Sequence, residues 1–135
     1  MKRLVGYFLI AMGLMWLVSG CALWPSAFDS QEHARLVNIQ VASRDSSVCA
    51  NPEQVKAIAQ SMYRDAEWAH TYGSSLPDNS KMAKMESNLL SMTKELADRY
   101  QQATPPSAVY CRSKFENIHR GATTMTEVSA RRPRL

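Results

Sequence analysis

An uncharged apolar stretch near the N-terminus constrains this chain most, because it decides the compartment in which the remaining residues fold. Lys2 and Arg3 form a short basic start, and residues 4–18 follow without a charged side chain. This stretch suits the apolar core of an export signal, and it is shorter than the about 20 residues that a membrane-spanning helix needs. The sequence therefore predicts that everything beyond residue 20 is exported.

The apolar stretch ends in Val18, Ser19, Gly20 and Cys21. An aliphatic residue and two small residues in front of a cysteine resemble the lipobox of bacterial lipoproteins. This resemblance implies that diacylglycerol is transferred to the Cys21 thiol and that the chain is cleaved between Gly20 and Cys21. A membrane-anchor helix with an incidental cysteine is the alternative.

The lipid predicted on Cys21 has consequences for location. A single acyl chain holds a protein to a bilayer only marginally, whereas two or more chains anchor it stably. Ala22 follows the cysteine. In enterobacterial lipoproteins an aspartate at that position resembles an inner-membrane retention signal, so its absence here favours the outer membrane. We therefore expect a palmitate-bearing lipoprotein on the outer membrane, with its domain facing the periplasm.

Charge and length bound the exported part. Once Lys2 and Arg3 are assigned to the export signal, 14 basic and 12 acidic side chains remain, a net charge of +2 rather than +4. A nearly neutral body argues against a nucleic-acid-binding domain, and the length suits one domain. The predicted organisation is an export signal over residues 1–20, a lipidated tether over 21–30, a helical domain over 31–122 and a flexible basic tail over 123–135.

Two cysteines, Cys49 and Cys111, remain after Cys21 is assigned to the lipid. In an oxidising compartment such a pair usually forms a disulfide, and closing a loop of about 60 residues contributes roughly 4 kcal/mol. A nucleophilic thiol or a metal site is the alternative. However, the sequence contains no CxxC, and no histidine lies within three residues of either cysteine.

The segment over residues 31–43 can be interpreted in two ways. Val37, Ile39 and Val41 alternate as in a strand, whereas Ala34, Val37 and Val41 share one helical face, with Ser30 as a possible N-cap. We favour the helix, because no second convincing strand is present to pair with it.

Three clearer helices follow. Asn51 and Pro52 are typical of a helix start and predict a helix to about residue 72. Asp78 is expected to cap a second helix that reaches about residue 102, and Ser107 a third that ends near Gly121. Short loops make such helices antiparallel, so Cys49 and Cys111 should meet at one end.

The second of these helices carries an apolar seam at spacings of three and four residues, formed by Met82, Met85, Leu89, Met92 and Leu96. Such a narrow seam is typical of helix packing, although methionines can also line an adaptable binding groove. The predicted fold is all-α, a small three- to four-helix bundle with one disulfide.

Few residues suggest chemistry. His33, His70 and His119 fall on three different predicted helices without a close pair, and the chain lacks GxSxG, SxxK and a glycine-rich phosphate loop. We therefore expect no enzymatic activity, no metal site and no cofactor.

The aromatic residues Tyr63, Trp68 and Tyr72 share one predicted helix. They either pack against the first segment or the last helix, or they form an exposed anchor for a protein partner, since such residues are enriched at binding hot spots.

The placement of Cys49 after the first helix and of Cys111 in the last, with Thr104 and Pro105 shortly before it, resembles the pilotin lipoproteins of type II secretion systems. The resemblance covers architecture and spacing. It implies a helical adaptor that binds another envelope protein, with a groove for a peptide helix of the secretin built from the apolar sides of residues 52–72 and 78–102. A lipoprotein of a conjugation or entry-exclusion system, or a small-ligand-binding lipoprotein, is the alternative.

Overall fold

The computed structural model describes residues 26–134, so the predicted export signal and Cys21 lie outside the described residues. Within residues 26–134 there are four α-helices, one short 3-10 helix and no strand. The elements are α1 Ser30–Ala42, η1 Ser46–Ala50, α2 Pro52–Ser75, α3 Ser80–Gln101 and α4 Ala108–Ala130. The predicted all-α fold with one disulfide is confirmed.

Helix α1 settles the choice between helix and strand, although the predicted details were wrong. Asp29 rather than Ser30 is the N-cap, and its carboxylate accepts hydrogen bonds from the backbone N–H groups of Gln31 and Glu32. The buried residues of α1 are Glu32, Leu36 and Ile39, whereas Val41 is 64% exposed. An apolar pattern could not identify this face, because one of its members is a buried carboxylate.

The predicted start of α2 is confirmed, because the Asn51 side chain accepts a hydrogen bond from the N–H of Gln54. Its predicted end was too early, since the helix continues through the buried Gly73 to Ser75. The prediction that Asp78 caps the next helix is wrong. Asp78 has a φ of 54° in the turn, and Asn79 occupies the N-cap position of α3 without capping it.

Helix α4 is longer than predicted. Ser107 caps it as expected, but the helix passes Gly121 and ends at Ala130. The prediction of a flexible tail from residue 123 is therefore wrong for most of that segment, since Met125 and Ser129 are fully buried. Packing outweighs the weak helix propensity of glycine and threonine in this stretch.

The helices pack antiparallel, α2 against α3 and α1 against α4, while α1 also contacts α2 and α3 has its least extensive contact with α4. On α3, Met82, Leu89 and Leu96 are buried as the seam predicted. Met85 and Met92 are only partly buried, and the core face of α3 includes Glu86 and Thr93.

The disulfide joins Cys49 in η1 to Cys111 in the first turn of α4, with Cα atoms 5.7 Å apart. We call this side of the bundle the disulfide end. It contains the start of α2 and the end of α3, as the antiparallel topology predicted.

Candidate functional site

A cleft of about 430 Å³ lies between α3 and α4. Its apolar lining residues are Met85, Leu89, Met92, Gly121 and Met125, and its polar lining residues are Asn88, Asn117, Arg120 and Thr124. Among these described lining residues there is one cation and no carboxylate. The cleft is therefore an apolar surface with a weakly basic border.

The cleft forms where α4 lacks a side chain. A Cβ atom on Gly121 would lie 3.3 Å from Met92 Cε and 3.9 Å from Leu89 Cδ1. Nearer the disulfide end, Lys114 and the hydroxyl of Tyr110 both bind the Glu95 carboxylate, at 2.7 and 3.3 Å. The Lys114 ammonium is also the largest cause that lowers the pKa of Glu95. Polar contacts thus join α3 and α4 near the disulfide end. Farther along the same two helices, the flexible side chains of Met85 and Met92 border the cleft.

The position of the cleft differs from the expectation drawn from the pilotin resemblance. That resemblance implied a groove built from the apolar sides of the helices now named α2 and α3, but these two pack closely on each other. The buried residues of α2 include three alanines, Ala59, Ala66 and Ala69, whose small side chains suit close helix packing. The cleft lies instead on the side of α3 that faces α4.

Two of the three aromatic residues on α2 contact α1 and the residue before it. The rings of Trp68 and Tyr72 are stacked with centroids 4.6 Å apart, and the Arg35 guanidinium lies 5.0 Å from the Trp68 ring centre. The Tyr72 hydroxyl donates to Asp29 at 2.9 Å, and this bond is the largest cause that raises the pKa of Tyr72. Tyr63 is separate and donates to Glu67 at 3.3 Å.

Each of the three histidines makes a polar contact with a different part of the bundle. The Nδ1 atom of His33 lies 3.3 Å from Ser129 Oγ, that of His70 lies 3.2 Å from a backbone carbonyl of α3, and that of His119 lies 2.9 Å from one of α1. Within residues 26–134, no group of three His, Cys, Asp or Glu side chains is placed to hold a metal ion.

A buried polar network, which the sequence did not predict, lies at the end opposite the disulfide. Arg132 donates to the Glu32 carboxylate at 2.6 Å and to the Asn79 side-chain oxygen at 2.8 Å. The Asn79 amide in turn donates to Glu32 at 2.7 Å and to the Gly73 carbonyl at 2.9 Å. Ser26 donates to the same Asn79 oxygen at 2.9 Å. We call this side of the bundle the network end.

Glu86 lies beside this network and is 1% exposed. Among the described residues, no donor binds either of its carboxyl oxygens. Gly73 makes room for it, because a Cβ on that residue would lie 2.8 Å from Glu86 Cδ. Burial, and next the charge of Glu32, raise the pKa of Glu86 to about 8, although Arg132 opposes the shift. Glu86 is therefore neutral over the mildly acidic and neutral range.

Local sequence signals for this network are weak. Glu32 and Arg132 are 100 residues apart in the chain. One indication was available on α3, where the ionisable residue Glu86 occupies the same helical face as Met82 and Leu89 at spacings of four and three residues.

None of the helices in the described region has the length and apolarity needed to cross a membrane. Comparison of the chain with protein families, with curated proteins and with solved structures finds no match.

Proposed function

We propose that this chain is a lipid-anchored helical adaptor of the bacterial envelope, held by acyl chains on Cys21 at the outer membrane and facing the periplasm. Its partner is another envelope protein, and the cleft between α3 and α4 is the contact surface. The observation that carries the proposal is this apolar cleft bordered by methionines, because an exposed apolar concavity is typical of a binding surface.

The lining of the cleft indicates the chemistry of the partner segment. Met85 and Met92 lie two helical turns apart, about 10 Å along α3. This length suits two or three apolar side chains on one face of a partner helix, and methionine adapts to varied shapes. The guanidinium of Arg120, unopposed by a lining carboxylate, favours an acidic residue beside that apolar face.

Arg120 is available for such an exchange. Its present partner is Glu116, one turn earlier on α4 at 3.1 Å, and both side chains are mostly exposed. Exposed pairs of this kind contribute only about 0.3–0.5 kcal/mol. An acidic group on a partner that covers the cleft would exclude water from Arg120 and would therefore compete effectively with Glu116.

The anchor is compatible with this use of the cleft. Four residues lie between Cys21 and Ser26, so the folded domain begins at most about 18 Å from the lipidated cysteine. Ser26 lies at the network end, so in this proposal that end faces the bilayer. A cleft along the side of the bundle then stays open to a partner in the periplasm.

Two partners fit the same physics. The resemblance to pilotins favours a helix of a secretin, whereas the alternative assigns the chain to a conjugation or entry-exclusion apparatus.

A second candidate function is the binding of a small apolar ligand, because the cleft volume of about 430 Å³ falls in the range of small-molecule sites.

Photo-crosslinking in the native membrane tests the adaptor. A photoreactive amino acid replaces Asn88, an exposed residue of the cleft lining, in the full-length chain, and Ser61 on the exposed face of α2 serves as the matched control position. We expect a crosslink from position 88 to one apolar, helix-forming segment with an acidic residue, and none from position 61.

The second variant of that experiment is Met92→Lys, which places a charge in the cleft and should abolish the crosslink. Crosslinks only to a second copy of the chain or to lipid would contradict the proposal. Crosslinks of equal yield from both positions would contradict it as well.

The anchor has its own measurement. Cys21→Ala should abolish palmitate labelling and leave the chain uncleaved, because the thiol accepts the lipid. Ala22→Ser is the control, and labelling of both variants at the wild-type level would refute the anchor.

A further inference from the structure

Two carboxyl groups from different helices lie close together inside the network end, because Asn79 binds both Glu32 and the carbonyl of Gly73, and Gly73 packs against the Glu86 carboxyl group. Glu32 on α1 is fully buried and has both oxygens bound, one by Asn79 and one by Arg132. Glu86 on α3 is equally buried, and no donor among the described residues reaches its carboxyl oxygens. An ionised carboxylate without a partner is very costly in such a place. The stable arrangement is one carboxylate beside one carboxylic acid.

We propose that Glu32 and Glu86 hold a single proton between them, and that loss of this proton loosens the network end, so that the pair is a pH-sensitive latch on both ends of the folded chain. This inference stands independently of the proposed adaptor function.

The charges around Glu86 support this assignment. The carboxylate of Glu32 on α1 raises the pKa of Glu86. The guanidinium of Arg132, in the segment after α4, lowers it. On α2, His70 contacts a backbone carbonyl of α3 rather than a carboxylate. His33 on α1 contacts the Ser129 hydroxyl of α4. With Glu86 protonated, one cation balances one anion in the cluster. With Glu86 ionised, two carboxylates compete for one guanidinium.

The same contacts hold the two segments that flank the helical bundle. Arg132 binds Asn79, and Asn79 binds Ser26, so the segments before α1 and after α4 share one anchor point. The backbone N–H of Phe28 also donates to the carbonyl of Pro133 at 2.9 Å. If Arg132 is drawn between two carboxylates, its bond to the Asn79 oxygen is the first to weaken, and this is the same oxygen to which Ser26 donates.

The direction of the effect follows from the pKa of Glu86, which is raised from 4.5 to about 8. A folded-state pKa above the unfolded value means that the folded chain binds the proton more tightly. The latch is therefore closed in mild acid, and its stability falls as the pH rises from about 4.5 towards about 8.

Hydrogen exchange of the full-length chain in detergent micelles tests the latch at about pH 6 and about pH 9, on either side of that pKa. After correction for intrinsic exchange rates, the Phe28 amide should lose roughly a hundredfold of its protection at the higher pH, because the ionised fraction of Glu86 rises about tenfold per unit over the two pH units below its pKa of about 8. In Glu86→Gln, which cannot ionise, the protection should not change with pH. The Cys111 amide, bonded to the Ser107 carbonyl at 3.0 Å, reports the disulfide end and should be unaffected in both.

Two controls keep the test decisive. Glu116→Gln removes an exposed carboxylate of α4 and should behave as the wild type. The ¹³C shift of the Glu86 carboxyl carbon follows the proton directly in the unaltered chain, even if Glu86→Gln folds poorly. Titration of that carbon below about pH 5, near the ordinary value of 4.5, would overturn the proposal. Equal loss of Phe28 protection in wild type and Glu86→Gln would also overturn it.

Discussion

At one end of the bundle a covalent bond joins η1 to α4, whereas at the other end hydrogen bonds and charges hold Ser26 and Arg132, which flank the four helices, to Glu32 of α1 and to Asn79 before α3. The Cys49–Cys111 bond connects residues 62 apart, and both cysteines belong to the buried apolar core. The Glu32–Arg132 bond connects residues 100 apart in a polar cluster. Both close a long loop, but one responds to reductant and the other to pH.

The two ends also differ in what a single substitution exposes. Removing a cysteine frees a loop in the unfolded chain and leaves the neighbouring apolar residues packed. Removing one member of a buried ion pair leaves its partner charged and unpaired in the interior, which is much worse than replacing both. The network end is therefore the more sensitive end, although its bonds are individually weaker.

Arg132→Ala should have the largest effect. It leaves the Glu32 carboxylate buried without its cation, which costs about 3–5 kcal/mol of unfolding free energy. Urea denaturation at neutral pH measures it. The matched control is Arg131→Ala, because the Arg131 side chain is 82% exposed and forms only a long ion pair, 4.0 Å, with Glu127. Equal denaturation midpoints for the two variants would show that the ion pair does not hold the network end.

Cys49→Ser should follow, with a loss of about 2–4 kcal/mol under oxidising conditions. The variant should also lose the sensitivity of the melting temperature to reductant that the wild type shows. Cys111→Ser should give the same result, since either change breaks the same bond. A wild-type melting temperature that is the same with and without reductant would remove the covalent half of the comparison.

Gly73→Ala should destabilise the chain by about 1–3 kcal/mol through overpacking. The added Cβ would lie 2.8 Å from Glu86 Cδ in the buried network. Gly121→Ala is the control in an equally helical position, where the new atom meets the movable end of Met92 at 3.3 Å. Helix propensity favours alanine by about 1 kcal/mol at both sites, so the difference between them isolates the collision. Thermal melts that rank the two variants equally would contradict it.

Glu86→Gln should have the smallest effect in acid and a growing one as the pH rises. The wild-type free energy of unfolding should fall by about 1.4 kcal/mol per pH unit between the unfolded and folded pKa values, because the unfolded chain releases the proton first. Those values are 4.5 and about 8 for Glu86. The variant should lack this decline, as chemical denaturation at successive pH values would show. A parallel decline in both proteins would assign it to other groups.

The features that were predicted correctly depend on short stretches of chain. Asn51 and Ser107 cap helices through their nearest neighbours, and the spacing of Met82, Leu89 and Leu96 marks a buried face of one helix. Cys49 and Cys111 were paired because they are the two cysteines that remain once Cys21 is assigned to the lipid, and the antiparallel order of the helices agreed by placing both at one end. Each of these signals operates within a few residues or follows from element order.

The features that were missed depend on residues far apart in the chain. The tail after residue 123 looked frayed because nothing nearby stabilises it, yet Arg132 is buried by a partner on α1. Asn79 was overlooked because its side chain donates to Glu32 in the network and does not cap α3, the helix that follows it. The cleft could not be located either, since it arises where Gly121 happens to face α3.

By itself, the sequence determined that this is a small helical protein with two cysteines at one end, because caps, turn residues and helical periodicity act locally. Only the tertiary structure decided that its charged residues close the other end and that the gap opens between α3 and α4. The physical reason is that a buried charge is tolerated only beside the partner that compensates it, and that partner was 100 residues away.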